Sequence, residues 1–344
     1  MIASAQFLKS PALSTSLPLV NGTTTFSMPL NQGRVAVSLT RSNIDNNLVD
    51  AYATGYFYIA ASSFLDPLNQ QPAQIASVYA KFQITNVAQF MLAVPGSLTL
   101  GYGTNASGGI VYASNLAFQS GSGDPTTQVS EAYYYNSVFP TSAPPFVTFS
   151  PPGSSAQQLS YPPNFANLDA GVRAQYSSKQ TSNPIPSPAD FEGVLTCPSD
   201  TYVIFVSSSV DFGKLGPVTV SGVCAIYATG DIYIHNNLGP APGDTTSWVA
   251  LLSEGIIHLA DDAPQSLSVC GNFVTNVAFM ADGAPRPTGN LIITGGIVSM
   301  QSMGVADVWQ GTRTYQYASS TSPNLFLPNI SNQLEYRLNS GTKY

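Results

Sequence analysis

The segment GPVTVSGVCAIYATGDIYIHNN, residues 216–237, decides the predicted fold of this chain. Its three short apolar runs are interrupted at Gly222 and Gly230, and the last run ends at Asn236 and Asn237. Each run has the length and the β-branched and aromatic content of a strand, and is too short for a helix. Glycine and asparagine at the breaks permit the backbone conformations that sharp corners need. The segment therefore predicts short strands joined by tight corners.

The same pattern returns downstream, in residues 251–259, 277–283 and 290–297. Gly230 and Gly255 are 25 positions apart, and Gly255 and Gly283 are 28 positions apart. A repeat of this size, built of short strands and corners, is typical of the stacked coils of a β-solenoid. We therefore predict an irregular parallel β-solenoid, or β-helix, in which three isoleucines occupy successive layers: Ile232, Ile257 and Ile292.

The whole chain is predicted to be mainly β. A clean alternation over residues 34–41, a polar turn and a return strand over residues 48–59 predict a hairpin of a small antiparallel sheet. The predicted organisation is an extended N-terminal arm over 1–30, the small sheet over 31–95, the solenoid over 96–300 with a long loop insertion at about 120–192, and a closing C-terminal segment over 301–344.

The composition is poor in charge. Only 8% of the 344 residues are charged, against about a quarter in ordinary soluble proteins, and the net charge is −7. No charged residue lies between Lys81 and Asp124. This balance favours extracellular, β-rich assembly proteins over cytosolic enzymes. It argues against a dominant nonspecific role on nucleic acid, which needs clustered Lys or Arg.

Cysteine usage and hydropathy add further expectations. The CxxC and Cys/His spacings of zinc sites are missing around Cys197, Cys224 and Cys270, and we predict no metal and no cofactor. Buried free thiols are favoured over a single disulfide. No run approaches the ~20 apolar residues of a membrane helix, and the first residues lack the pattern of a secretory signal. Export by another route, or a missing N-terminal segment, is therefore expected.

Several phrases, taken in order, resemble the β-solenoid domains of PilX-like minor pilins, which are envelope proteins of type IV pilus or competence systems. They are GDIYIHNN (230–237), LLSEGII (251–257), VAFMA (277–281), LIITGGI (291–297) and TYQY (314–317) before PNLFLP (323–328). The resemblance covers residues 193–328, and residues 96–118 more loosely. It implies a small pilin-like sheet, matched by the hairpin, and a projecting solenoid. The N-terminal apolar helix of that family is absent here, as in a trimmed ectodomain.

The candidate binding residues are aromatic side chains and histidines. Tyrosines in pairs or runs can form stacking platforms for sugars or bases. Aromatic ladders in the core or on the surface of the solenoid are the favoured explanation for Tyr227 and Tyr233, whereas for the triplet 133–135 both explanations stay open. Two histidines at similar places after Gly230 and Gly255 could share a metal or a substrate, but no third ligand is specified, and structural histidines are the alternative. The candidates are Tyr133, Tyr134, Tyr135, Tyr227, Tyr233, His235 and His258.

Catalysis on a solenoid would use paired carboxylates on neighbouring coils, as in glycoside hydrolysis or elimination. The candidates are Asp231, Glu254, Asp261, Asp262 and Asp282. The competing interpretation is that these side chains cap corners by accepting backbone N–H groups. We favour capping. The chain is thus predicted to be a non-catalytic protein.

The predicted function is that of a cell-surface, pilus-associated structural protein. By the resemblance, it would present its solenoid to DNA in competence, to a surface in adhesion, or to other pilus or envelope subunits, outside the cell or in the envelope. Two alternatives stay open. A polysaccharide-active β-helix enzyme would gather carboxylates in a groove, and a viral capsid or spike subunit would contain jelly-roll sheets or assemble with itself.

Overall fold

The computed structural model describes residues 23–30, 33–41, 48–57, 74–85, 90–119, 126–141, 145–150, 152, 155–159, 162, 189–317 and 335–343. In these residues every regular element is a β-strand. None of them forms a helix with the length and apolar character needed to cross a bilayer. The chain divides into two compact units, Met1–Asn86 with Asn332–Tyr344, and Val87–Ser331.

The described strands are numbered in chain order. The first nine are β1 (Thr23–Leu30), β2 (Gly33–Arg41), β3 (Leu48–Phe57), β4 (Gln74–Thr85), β5 (Phe90–Gly101), β6 (Thr104–Gln119), β7 (Thr127–Phe139), β8 (Val147–Phe149) and β9 (Gln157–Gln158). The next eight are β10 (Ala189–Phe191), β11 (Val194–Val206), β12 (Val210–Phe212), β13 (Val218–Ala228), β14 (Ile232–Ile234), β15 (Leu238–Pro240), β16 (Trp248–Ser253) and β17 (Ile257–Leu259). The last eight are β18 (Ser266–Cys270), β19 (Asn272–Thr275), β20 (Ala278–Ala281), β21 (Asn290–Thr294), β22 (Ile297–Ser299), β23 (Ser302–Gly304), β24 (Thr312–Gln316) and β25 (Glu335–Lys343).

The first unit is an antiparallel sheet with the strand order β1-β2-β3-β4-β25. The predicted hairpin is present as β2 and β3, in which Val37 pairs with Ala53. Two strands lie outside the predicted sheet: β1 falls in the predicted arm, and β25 falls in the predicted closing segment. The Ser/Thr/Pro-rich composition hid β1, and the pairing of β25 with β4 joins residues too far apart for a local pattern to reveal it. The rest of the predicted arm, residues 1–22, lies outside the described residues.

The second unit is a parallel β-solenoid of about eight turns. Each turn contributes a strand to each of three faces. Face 1 contains β10, β12, β14, β17, β20 and β23. Face 2 contains the first parts of β11 and β13, followed by β15, β18, β21 and β24, and face 3 contains the second parts of β11 and β13, followed by β16, β19 and β22. The predicted fold class is therefore confirmed, and these parallel ladders are not the jelly-roll sheets expected of a capsid subunit.

The order of the coils along the column is not the order of the sequence. From β10 to β24 the coils follow one another along the chain, but the next coil is built from β5 and β6. Ile297 pairs with Leu92, and Thr314 pairs with Asn105. The strands β7, β8 and β9 then continue the column beyond β6. In the column, the coil formed by β5 and β6 therefore lies between the coil of β23 and β24 and the end formed by β7, β8 and β9.

Three predicted boundaries of the solenoid differ from the structure. Strand β5 begins at Phe90, within the range predicted for the small sheet, and pairs within the column. Strands β7, β8, β9 and β10 lie within the predicted loop insertion, but they pair as further coils. Strands β23 and β24 lie within the predicted closing segment and also belong to the column. Proline-rich connections concealed β7, β8 and β9, because they broke the regular spacing from which the coils were recognised. The described part of residues 160–188 is residue 162 alone, so the structure does not test the rest of the predicted insertion.

The core is made by side chains that alternate along each short strand. Ile232, Ile257 and Phe279 stack in register on face 1, and all three are fully buried. The predicted third member of this column, Ile292, lies on face 2 between Ser268 and Thr314 and is 40% exposed. The error came from treating Gly283 as the equivalent of Gly255. The Cβ position of Gly283 lies 3.2 Å from the Cα atom of Asp261, at a different corner.

A disulfide joins Cys197 to Cys224, 27 positions apart in sequence. This finding corrects the preference for free thiols. Cys197 pairs with Gly222 in the next coil, and this stacking places the side chains of Cys197 and Cys224 together. Cys270 is a free thiol, and burial raises its pKa to about 11.

Removing the disulfide is expected to destabilise this end of the solenoid. Replacing both Cys197 and Cys224 by alanine should lower the free energy of unfolding by about 2–4 kcal/mol, because the cross-link restricts the unfolded chain. Urea denaturation checks this value. Cys270→Ala is the matched control and should cost less than the double variant. Equal stability of the double variant and the parent would contradict a structural role for the bond.

Two buried arginines join neighbouring coils. Arg286 is 5% exposed, and it donates to the carbonyl oxygens of Ala263 at 2.6 Å and Asp261 at 2.8 Å. Its guanidinium lies 4.2 Å from the ring centre of Trp309. Arg313 is 2% exposed, and it donates to the carbonyl oxygens of Trp309 and Tyr102 and to the hydroxyl of Thr104 at 3.2 Å. Arg313 therefore bridges the point where the late coil meets the early one.

Candidate functional site

Face 1 carries a polar cluster on its outer side. In β12, β14 and β17 the first and third residues are buried in the core, so the central side chains face outward. The central residues Asp211, Tyr233 and His258 are in register in three successive coils. We call this group, with its neighbours, the face 1 cluster. Its members are Asp211, Lys214, Tyr233, His235, His258, Asp262 and Asp282.

Tyr233 and His258 form a stacked pair within the face 1 cluster. Their ring centres are 4.6 Å apart and their planes differ by 8°. Nδ1 of His258 lies 2.9 Å from Oδ2 of Asp282, which orients the imidazole. The hydroxyl of Tyr233 lies 3.4 Å from Oδ2 of Asp231. Burial and the nearby carboxylates, Asp231 foremost, raise the pKa of Tyr233, so its hydroxyl stays protonated at neutral pH.

His235 lies between two carboxylates from different coils. Its Nε2 is 2.9 Å from Oδ1 of Asp211, and its Nδ1 is 2.6 Å from Oδ1 of Asp262. Burial lowers the pKa of His235, but the hydrogen bonds to Asp211 and Asp262 outweigh burial and raise it overall. Lys214 binds the other oxygen of Asp211 at 2.9 Å. Burial raises the pKa of Asp211, whereas its bonds to Lys214 and His235 lower it by more.

The sequence-predicted binding residues do not form one site. Tyr233, His235 and His258 come together in the face 1 cluster. Tyr227 lies on face 3, where it is 3% exposed, stacks on Phe205 and donates a 2.5 Å hydrogen bond to Oε1 of Glu254. A binding role for any of these residues stays a prediction.

The tyrosine triplet lies elsewhere again. Tyr133, Tyr134 and Tyr135 lie on β7, which is a coil strand and not the loop that the sequence predicted. Tyr133 is buried and donates to Glu131. Tyr134 packs against the inner apolar cluster, whereas Tyr135 packs against a second apolar cluster on the other side of the strand, to which Tyr133 also belongs. The strand alternation therefore divides the triplet, and its rings do not form one continuous platform.

The predicted catalytic carboxylates bind groups of the scaffold. Oδ1 of Asp231 accepts the backbone N–H of Ile256 at 2.7 Å, which is the corner cap that the sequence favoured. Glu254 accepts the hydroxyl of Tyr227. Asp262 and Asp282 face the two histidines. Asp231 and Glu254 thus form hydrogen bonds with different partners, although they lie near the same corner.

A shallow cleft lies on face 3 beside Glu254. Its lining residues are Tyr227, Leu252, Ser253, Glu254, Val274, Asn276 and Met300. Within the described ranges, no group of three or more His, Cys, Asp or Glu side chains has the arrangement of a metal site. Asp211 and Lys214 were not among the residues predicted from the sequence. The signal for Asp211 was present, because Val210-Asp211-Phe212 repeats the apolar–polar–apolar triplets around Tyr233 and His258.

Comparisons with known proteins give a weak structural likeness and no family. No protein-family model matches the chain, and no curated protein matches it. Among solved structures, the chain is similar to the crystal structure of the competence-associated pilin ComZ from Thermus thermophilus. The TM-score is 0.34 and the identity 14%, over 95% of this chain and 88% of that chain. At this TM-score the assignment of the fold depends on the strand pairing of the chain itself.

Proposed function

We propose that this chain is a non-catalytic, pilus-associated envelope protein whose solenoid is a scaffold for contact with other pilus subunits. The non-catalytic part of the proposal depends on one observation, which is that the paired carboxylate candidates are hydrogen-bonded to other groups of the solenoid. The two candidates beside the corner glycines, Asp231 and Glu254, accept the backbone N–H of Ile256 and the hydroxyl of Tyr227. A carboxylate held in this way stabilises a corner or orients a ring, and it is poorly placed to move a proton to a substrate.

The envelope part of the proposal is supported by the disulfide and the composition. Disulfides persist in oxidising compartments such as the periplasm and the cell surface, and are rare in the reducing cytosol. The Cys197–Cys224 bond and the charged fraction of 8% both fit such a location. The pilus part is supported by the ordered phrases of residues 230–317 that resemble PilX-like minor pilins.

The proposed partner is a protein subunit rather than DNA. The outer side of face 1 presents four aspartates near a single lysine: Asp190, Asp211, Asp262, Asp282 and Lys214. Such a surface repels the phosphate backbone, whose binding depends on clustered positive charge. A polar surface of this kind suits the rim of a protein interface.

Shearing of surface filaments tests the proposal. In the cells that produce the chain, we expect it to co-purify with sheared pili and to be lost from that fraction when pilus assembly is blocked. Thiol labelling of the denatured native protein should modify Cys270 alone. Recovery in the cytosolic fraction, with three reactive cysteines, would contradict the envelope location and the pilus association together.

A further inference from the structure

We propose that His235 is a proton-dependent clamp that holds three successive coils of the solenoid together along face 1. The three coils are those of Asp211, His235 and Asp262, which contribute one side chain each. No other described side chain of the face 1 cluster lies within hydrogen-bond distance of carboxylates from the coils on both of its sides.

The hydrogen-bond geometry assigns the protonation state in which the clamp is closed. Both ring nitrogens of His235 lie within 2.9 Å of a carboxylate oxygen, and an ionised carboxylate only accepts hydrogen bonds. An imidazolium has two N–H donors and satisfies both contacts. A neutral imidazole has one N–H, so one carboxylate then faces a nitrogen lone pair.

The clamp has two arms, which are the contacts of His235 with Asp211 and with Asp262, and they are not equivalent. Asp211 is 15% exposed, and it keeps a cation beside it when His235 is neutral, because Lys214 lies 2.9 Å from its second oxygen. Asp262 is 57% exposed and can turn into water. The arm to Asp262 is therefore the one that opens. Opening frees the carboxylate of Asp262, which lies in the turn after β17, while Arg286 keeps hold of the backbone of that turn through the carbonyl oxygen of Asp261.

The other groups near His235 do not replace the missing proton. The ring of Tyr233 is 6.4 Å away, and its hydroxyl stays protonated with a raised pKa. Asp190 is bound to Lys214 at 3.2 Å. The backbone N–H of His235 donates to the carbonyl oxygen of Phe212 at 2.9 Å, and this bond does not depend on pH. The coil therefore stays in place while the side-chain link to Asp262 is made or lost.

The sign of the pH dependence follows from the raised pKa of His235. A histidine whose pKa is higher in the folded state stabilises that state fully below the unfolded value of about 6.5. The stabilisation is lost as the pH rises through the folded-state pKa. The clamp is thus closed in mildly acidic surroundings and open in alkaline ones.

Proton NMR titration of the folded protein tests the clamp directly, because the chain contains only two histidines. His258→Asn assigns the two ring signals. We expect His235 to titrate above about 6.5, and Asp262→Asn to lower its pKa by about 0.5–1 unit. The ring signals of His258, which faces Asp282, are the internal control and should keep their positions in Asp262→Asn.

Thermal denaturation gives the second measurement. At pH 5.5 the parent should melt about 2–4 °C above His235→Gln, and at least half of that difference should be lost at pH 8.5. A pKa of His235 at or below about 6.5, or no change in Asp262→Asn, overturns the proposal. An equal melting difference at both pH values also overturns it. If His235→Gln does not fold, the NMR result for Asp262→Asn decides, since Asp262 is largely exposed.

Discussion

Replacing Arg313 by methionine is expected to lower the free energy of unfolding by about 3–5 kcal/mol. The substitution leaves three acceptors without their donor: the carbonyl oxygens of Trp309 and Tyr102 and the hydroxyl of Thr104. Each buried group left unsatisfied costs about 1–3 kcal/mol. Burial is the largest influence on the pKa of Arg313 and lowers it. Urea denaturation followed by circular dichroism measures the effect.

Thr312→Ala is the matched control for Arg313→Met. Thr312 precedes Arg313 on β24 and points outward, so its replacement should change stability by no more than about 0.5 kcal/mol. The loss in Arg313→Met should be concentrated where the early coil meets the late one. Hydrogen exchange of the amides in β5, β6 and β24 should therefore rise more than exchange in β12 and β14. A loss below about 1 kcal/mol would show that the bridge is dispensable.

Gly295→Ala is expected to destabilise the solenoid by at least about 3 kcal/mol. Gly295 has a φ of 130°, a region that residues with a Cβ atom rarely adopt. A Cβ atom there would lie 1.9 Å from the carbonyl oxygen of Gly271 in the preceding coil and 3.0 Å from the ring of Trp248. The backbone would have to move away from both neighbours, which opens the corner between faces 2 and 3. The urea midpoint, compared with that of the parent, measures this loss.

Two further glycines separate the causes of that effect. Gly243 has a φ of 84° and no atom within 4 Å of its Cβ position, so Gly243→Ala measures backbone strain alone, about 1–2 kcal/mol. Gly216 has open space at its Cβ position and no positive φ, so Gly216→Ala should be nearly neutral. If Gly295→Ala were no worse than Gly243→Ala, close coil packing at that corner would be refuted.

The solenoid was predictable from sequence because its local rules are simple. Runs such as 232–234 and 257–259 place apolar residues on both sides of one outward side chain, and glycines mark corners. The register was harder to predict. Ile292 has the same chemistry as Ile257 but lies on another face and points outward, because the segment between the two strands differs in length from coil to coil. Counting glycines could not detect that difference.

The face 1 cluster was predictable only in part. The regular spacing located Tyr233 and His258, which are central residues of repeating triplets, and His235, which directly follows one of these triplets. The partners of the histidines could not be foreseen, because Asp262 and Asp282 follow strands of later coils and approach only through three-dimensional stacking. The contacts of the two buried arginines could not be predicted for a similar reason. Arg313 binds Thr104, 209 positions earlier, and no periodic pattern relates residues at that distance.

The insertion of the earliest coil beside the latest one has a consequence for biogenesis. Once β5 has been synthesised, the side of it that will receive β22 is an open edge, because its partner lies about 200 residues downstream. At a synthesis rate of about 5–20 residues per second, that edge waits roughly 10–40 seconds. Open strand edges recruit other chains. A chaperone that binds the nascent chain until translation is complete would therefore raise the yield of this protein. The gain would be larger than for a solenoid whose coils stack in the order of the sequence.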